Sequence, residues 1–339
     1  MPGNLSERRF VRVLVTGCVG FIGSWIAETL LQDGHEVLGV DCFVDFYPRR
    51  YKEANLRQLE ESSSFRFIEA DISEVKTELL REWLSEYPFV SHQAAQAGVR
   101  SSWGRQFEGY TRHNVLATQR LLEAAREAPV RRFVFASSSS VYGQADVFPL
   151  REDGPTLPVS PYGVTKLAAE HLTRLYYLNY GVPTVALRYF TVYGPRQRPD
   201  MAFHRLVRGL LLDEPFPLYG DGSQSRSFTY VTDVVQANLA ALFTGAEANF
   251  SPFLGEPINV GGGARATLNE VISLAEDLTG KRVRLQRSGM QKGDVDRTEA
   301  DLSRAGNWLG YEPRATLQVG LRAEVEWLRQ LIQVEKGAP

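Results

Sequence analysis

The chain has 339 residues, 43% of them apolar and 23% charged, an ordinary globular composition that suits one large domain or two fused ones. Lys and Arg number 38 against 40 Asp and Glu, and a net charge of −2 offers no electrostatic footprint for DNA or RNA. Two cysteines, Cys18 and Cys42, make no disulfide framework, no CxxC or His/Cys cluster suggests a metal site, and no segment reaches the length of a membrane span, so a soluble, cytoplasmic protein is expected.

FVRVLV (10–15) predicts the first strand. GCVGFIG follows it, and Ile22, Ile26, Leu30 and Leu31 then recur at helical spacing up to a stop at Gly34. HEVLGVD (35–41), SFRFIEADI (64–72), FVSHQAA (89–95), RRFVFAS (131–137) and TVALRYF (184–190) predict further short strands, separated by helical patterns such as NVLATQRLLEAARE (114–127). This alternation argues a parallel sheet with helices on both faces. After Tyr189 the pattern loosens, and residues 193–227 are rich in Pro, Gly and polar side chains. FTYVTDVVQANLAALF and PINV are expected to rejoin the sheet as a helix and a strand; from about 264 the chain reads as helix, short strand, loop and terminal helix.

Gly17, Gly20 and Gly23, spaced GxxGxxG, lie between the first strand and its helix. Glycines there let the backbone turn sharply and approach a pyrophosphate at the helix N-terminus. Asp41, the acid ending the second strand, suits the ribose hydroxyls of NAD and would repel a 2′-phosphate. A tight turn without a ligand is the alternative, and the agreement of loop, helix and acid weighs against it. Cys18, inside the loop, reads as a packing residue. The expected fold is α/β, a doubly wound parallel Rossmann sheet over 8–190 plus about 228–262. A smaller, discontinuous C-terminal α/β substrate domain is expected over about 191–227 plus 263–335.

SPYGVTK places Tyr162 and Lys166 one turn apart on one helix face. An ammonium beside a phenol, and a nearby nicotinamide cation, favour the phenolate and lower its pKa from about 10. Ser138, at the end of a strand, stands 24 residues before Tyr162, and this makes the pair specific. It belongs to a run of four serines, Ser137 to Ser140, of which Ser137 is expected to end the strand and serve only the turn.

With these residues in view, the sequence resembles the extended short-chain dehydrogenase/reductases, and among them the nucleotide-sugar epimerases. The resemblance spans nearly the whole chain: GCVGFIG, ADI (70–72), HQAAQAGVR (92–100), SSSSVYG, SPYGVTK, LRYFTVYGPRQRPDM (187–201), YGDGSQSRSFTYVTDV (219–234) and GDVDRTEAD (293–301). It implies Ser138, Tyr162 and Lys166 as catalytic. It implies that Asp71 and Ile72 flank the adenine of NAD, that Ala94 and Ala95 line the cofactor, and that Phe21, Ile22, Asn114 and Tyr189 complete its site.

Ser139 and Ser140 occupy two positions that sort the family by chemistry. Sugar 4,6-dehydratases carry an Asp–Glu pair there, and UDP-glucuronate decarboxylases tend to carry a glutamate at the second. With hydroxyls instead, reversible oxidation at C4 remains. The motifs look most like UDP-glucuronate 4-epimerases; UDP-galactose 4-epimerases usually have asparagine where Thr191 stands. Hydroxyls of Ser139, Ser140 and Thr191 are expected at the sugar carboxylate. Arg100, Arg198, Phe203 and Tyr219 are expected near the substrate, and Arg226 and Arg297 as a diphosphate clamp. Two alternatives are a UDP-glucose/UDP-galactose 4-epimerase and, more distantly, a UDP-glucuronate decarboxylase or a non-catalytic sensor. The resemblance also implies a homodimer through two helices of each subunit. The chain departs from the family at Cys42 and Val44, where asparagines are frequent, and at Gln93, where an apolar residue is usual.

Overall fold

The computed structural model describes residues 10–246, 251–263, 265–289 and 291–337. The expected start of the first domain at residue 8 lies outside these. The chain opens with β1 (Arg12–Thr16), α1 (Phe21–Gln32), β2 (Glu36–Asp41), α2 (Arg49–Glu60), β3 (Phe65–Glu69), α3 (Thr77–Glu86) and β4 (Phe89–His92). Next come α4 (Phe107–Tyr110), a π turn (Thr111–Leu116), α5 (Ala117–Ala125), β5 (Arg132–Ser138), α6 (Pro161–Tyr180) and β6 (Thr184–Tyr189). The rest holds β7 (Val192–Tyr193), α7 (Ala202–Leu212), β8 (Phe216–Tyr219), β9 (Ser225–Ser227), β10 (Thr229–Tyr230), α8 (Val231–Phe243), β11 (Pro257–Val260), β12 (Arg265–Thr267), α9 (Leu268–Thr279), β13 (Leu285–Ser288), α10 (Ser303–Leu309) and α11 (Leu317–Glu335).

Seven strands form one sheet in the order β3–β2–β1–β4–β5–β6–β11, every neighbouring pair parallel. Both faces are covered, which is why its strands read as continuous apolar runs. Alternate residues still divide between the faces. Val13 and Val15 meet Ile26 and Leu30 of α1 and Val234 of α8. Leu14 belongs to the opposite core, with Leu80 and Trp83 of α3, Leu121 of α5 and Ala169 of α6. A separate core, of Phe203, Leu206, Val207 and Leu210 with Val271, Leu321, Val325 and Leu328, joins α7, α9 and α11.

Several boundaries differ from expectation. The helix expected over 114–127 is part of a longer helical stretch that starts at Phe107 and passes through the π turn. β5 runs on through Ser138. The sequence reading omits α2, because it buries only Lys52 and Leu59 and so lacks an apolar stripe. It also omits β12 and α10, which are three and seven residues long.

A buried ion pair joins β6 to α6. Arg188 of β6 reaches Glu170 of α6 with Nη2–Oε1 at 2.6 Å, and their side chains are 4% and 7% exposed. Ser137 Oγ donates to Glu170 at 2.5 Å, and Arg188 Nη1 donates to the Tyr142 hydroxyl at 2.8 Å. Tyr142 in turn donates to Asn259 of β11 at 2.7 Å. Breaking a buried pair from one side strands a charge at a cost of about 3–5 kcal/mol. Arg188→Met is therefore expected to lower the unfolding free energy by about that amount in urea titrations. The Arg188→Met/Glu170→Met double variant should regain a large part of it. A single-variant loss below about 1 kcal/mol, as for an exposed pair, would contradict this account.

Candidate active site

The chain leaves β1 towards β3 on one side and returns to β4 on the other. That reversal opens a crevice at the carboxyl ends of β1 and β4. Gly17 turns there with φ +67°, and a Cβ on it would stand 2.8 Å from Ala94 N beyond β4. A Cβ on Gly23 would stand 2.1 Å from the Gly17 carbonyl oxygen, so α1 presses against the loop only because both are glycine. Gly20 caps α1 without a side chain, leaving the first N–H groups open to an anion. Cys18 is fully buried, as a packing residue should be.

From this loop a cleft of about 710 Å³ runs between the two cores. Asp41, 7% exposed at the end of β2, accepts on Oδ1 from Phe43 N at 2.8 Å and from Lys52 Nζ at 3.2 Å. Burial pushes Asp71 upward, but bonds from Ser73 and the charges of His113 and Arg112 prevail and hold it below its usual value.

At the other end stands α6. Ser160 accepts from Gly163 N at 3.1 Å and Pro161 fills the first turn, so the helix begins cleanly beneath Tyr162. Lys166, 3% exposed, donates from Nζ to the Ala136 carbonyl of β5 at 2.7 Å, and burial pushes it down to about 7. Burial pushes Tyr162 up, against the nearby Ser138 hydroxyl and the positive charge of Arg198. The lowering of Tyr162 by Lys166 expected from their spacing is thus not found: the lysine points to a strand carbonyl, and desolvation dominates the phenol.

The serine run divides its work. Ser137 is not a turn residue but the penultimate residue of β5, bonded to Glu170. Ser138 meets Tyr162 and also accepts from Ser140 N at 3.1 Å. Ser139 and Ser140 line the cleft.

Gly17, Gly20, Phe21, Ile22, Gly23, Asp41, Asp71, Ile72, Ala94, Ala95 and Tyr189 all line it as well, as do Arg100, Thr191, Arg198 and Tyr219. Four expected residues do not. Asn114 is buried, its amide taken up by Gln96 N and O and by Thr165 Oγ1, so it positions the loop after β4. Phe203 is 1% exposed in the second core. Arg226 donates to the main-chain carbonyls of Ser225 and Val295. Arg297 pairs with Glu299 and lies over the Phe148 ring.

Other lining residues were missed: Phe46, Tyr47 and Lys52 from the segment after β2, and Asp200 and Asp294. Both acids lie inside quoted motifs, two residues after Arg198 and one after Gly293, so the motif spacing held that signal. Asp200 holds Arg198 through two bonds of 2.9 Å, and Asp294 pairs with Arg100 at 2.6 Å. Arg100 also lies 4.0 Å from the centre of the Tyr219 ring. Gln93 finds its reason here: its amide bonds Ser91, Asn238 and the Tyr189 hydroxyl, each at 3.0 Å, and so fixes Tyr189 from behind.

The sequence pattern of the GDP-mannose 4,6 dehydratase family matches residues 14–323. The chain belongs to this family. It is 44% identical over 326 residues to an uncharacterized UDP-glucose epimerase of Bacillus subtilis, covering 96% of this chain and 100% of that one. It is 38% identical over 329 residues to a UDP-glucuronate 4-epimerase of Thermodesulfobacterium geofontis, covering 96% and 98%. The solved UDP-glucuronic acid 4-epimerase from Bacillus cereus, in complex with UDP-glucuronic acid and NAD, superposes with a TM-score of 0.90 at 42% identity, covering 95% of this chain and 100% of that one. Among members of the family, this chain has hydroxyls at Ser139 and Ser140, beside Ser138, Tyr162 and Lys166.

Lys166 gives the site a pH signature. Its folded value of about 7 lies below the unfolded value of about 10.4, so between these the unfolded chain holds the extra proton. Stability from this group therefore rises with pH across that window. In protein freed of bound nucleotide, Lys166→Met is expected to melt above wild type near neutrality. The gap should close as pH rises past about 10, as melting curves across that range would read. A pH-independent gap would mean that the lysine is not desolvated.

Proposed function

We propose that this protein is an NAD-dependent UDP-sugar 4-epimerase that interconverts UDP-glucuronate and UDP-galacturonate. The observation that carries the reading is a Ser138–Tyr162–Lys166 centre flanked by the hydroxyls of Ser139, Ser140 and Thr191, with no acid at the two serine positions. The glycine cradle at Gly17, too close to Ala94 for any side chain, fits a dinucleotide pyrophosphate. Gly17, Gly20 and Gly23 would hold that group, Asp41 the ribose, Asp71 and Ile72 the adenine, and Lys166 the nicotinamide ribose. NAD, when bound, supplies a hydride acceptor for C4 and a positive charge near Tyr162. Tyr162 takes the proton of the 4-hydroxyl while Ser138 holds the same oxygen. Inversion requires the keto sugar to turn in place, so the uridine diphosphate stays anchored while ring contacts exchange. Arg100, at the mouth, is the arginine placed for that anchor, in exchange for Asp294.

The keto form of a uronate is a β-keto acid. It loses CO₂ when the carboxylate bond stands across the ketone plane. Three hydroxyls that bond the carboxylate can hold it near the plane, each worth about 0.5–1.5 kcal/mol to a neutral acceptor and roughly twice that to a charged one. A second reading, UDP-glucose/UDP-galactose 4-epimerisation, is favoured by one feature: Arg198 and Arg100 already hold Asp200 and Asp294, so a uronate must compete with a protein carboxylate for either guanidinium.

Purified protein is expected to convert UDP-glucuronate to UDP-galacturonate and to release NAD, not NADP, on denaturation, both read by mass spectrometry after chromatography. Tyr162→Phe should lose roughly two to four orders of magnitude in rate. Ser139→Ala, Ser140→Ala or Thr191→Ala should raise the share of UDP-4-keto-pentose by roughly tenfold, one decade per about 1.4 kcal/mol. Turnover of UDP-glucose alone would establish the second reading.

The separate core of α7, α9 and α11 supports a division of labour in which residues up to 190 plus about 228–262 hold the cofactor and about 191–227 plus 263–335 hold the nucleotide sugar, except that α10 packs on the sheet through Ala305 and Leu309. Its proposed setting is the cytoplasm; among the described residues no helix is long and apolar enough to cross a membrane. Phe107 and Leu116, along the helical stretch from α4 to α5, and Val164, Leu175 and Leu178 of α6 are exposed apolar residues on adjoining helices. A homodimer that pairs these helices with their symmetry mates would cover them. Sedimentation should give a dimer, and Leu175→Glu with Leu178→Glu should shift it to monomer; a monomeric wild type would end this proposal.

A further inference from the structure

Three side chains of different chemistry face one another at the adenosine end of the cleft: the Cys42 thiol after β2, the Asp71 carboxylate after β3 and the His113 imidazole of the π turn. One ligand atom from each lies within 4.8 Å of the other two. His113 Nδ1 and Asp71 Oδ1 are 3.8 Å apart. Thiolate, imidazole and carboxylate are donors that zinc accepts, and three of them leave a fourth, tetrahedral position for water. All three residues are half-buried, so the trio is recessed yet open to a solvent ligand.

The carboxylate is already oriented. Asp71 Oδ1 takes the Ser73 N–H at 2.9 Å and the Ser73 hydroxyl at 2.7 Å, while Arg112 holds Oδ2 at 2.7 Å. Outer partners of this kind fix a ligand and tune its basicity. Asp41 and Glu74 add negative charge nearby, against the positive charges of Lys52 and Arg112. Ligand atoms around tetrahedral zinc stand roughly 3.3–3.7 Å apart, given bonds of about 2.0–2.3 Å. The three donor atoms, within 4.8 Å of one another, thus stand about 1 Å from that spacing.

We propose that Cys42, Asp71 and His113 form a site for a soft divalent cation such as Zn²⁺, and that the cation and the adenosine half of NAD exclude each other. The exclusion rests on the cofactor reading above, because Cys42, Asp71 and His113 line the same cleft as the glycine cradle and Asp41. Coordination displaces the thiol proton to solvent. The protein is then metal-sensitive before it is loaded with cofactor and protected afterwards.

Cobalt(II) is a spectroscopic probe for such a site. Purified protein, as isolated and after removal of bound nucleotide, would be titrated with CoCl₂. The nucleotide-free form is expected to bind one equivalent, with a thiolate-to-cobalt charge-transfer band and visible bands of tetrahedral intensity. Zn²⁺ should displace the cobalt, and saturating NAD should abolish the bands. Cys42→Ser should lose the charge-transfer band and His113→Ala should weaken binding, in proteins whose circular dichroism and melting match wild type. Absence of the band, a band undiminished in both variants, or a band that survives NAD shown by dialysis to be bound would each overturn the proposal. Dialysis that detects no NAD binding at all would instead overturn the cofactor reading, with the cobalt spectra still judging the metal ligands on their own.

Discussion

The Arg188–Glu170 pair joins the elements that carry the inner end of the cleft. Glu170 lies one helical turn beyond Lys166, and two turns beyond Tyr162, on α6. Ser137, bonded to the same carboxylate, is the neighbour of Ser138 on β5. Arg188 precedes Tyr189 on β6 and lies three residues from Thr191. One buried charge pair thus fixes the relative placement of Tyr162, Ser138 and Tyr189, three cleft residues drawn from three elements. Taking two ions out of water is expensive, and a hydrophobic substitute often holds a fold equally well. What such a substitute lacks is direction: the carboxylate accepts Ser137 and the guanidinium at fixed angles, and so sets the orientation of the strand end.

A second theme is that the cleft carries its own counter-ions. Arg198 is held by Asp200, Arg100 by Asp294, and Asp41 by Lys52. A protein of net charge −2 can thus keep Arg198 and Arg100 in the cleft, each with a carboxylate beside it. An anionic substrate gains by exchanging with a protein carboxylate, not by filling an empty electrostatic well, so affinity depends on the difference between two similar pairings.

Much of this was legible in the sequence. The strands of the main sheet appear as apolar runs because helices cover both faces, and the glycine loop, Asp41 and the SSSSVYG and SPYGVTK segments sit where their spacing puts them. Asn114, Phe203, Arg226 and Arg297 were not readable in this way. A motif fixes the position of a residue along the chain, but burial and local pairing decide the direction of its side chain: Phe203 turns into the second core, and Arg297 turns to Glu299. Helix α2 left no periodic signal, and Lys52 went unseen with it. Gln93 looked anomalous only because its partners, Tyr189 and Asn238, lie 96 and 145 residues away.

The contact of Arg100 with Asp294 and Tyr219 spans 194 residues of sequence and lies at the mouth of the cleft. The arginine side chain is 44% exposed, so the ion pair contributes about 1 kcal/mol at most, and the stacking on tyrosine about as much again. A contact held by about 2 kcal/mol is parted in about one molecule in thirty at any instant. Arg100 can therefore leave Asp294 and Tyr219 without unfolding any element of the sheet, which makes it a cation on loan to its neighbours and not a fixed strut.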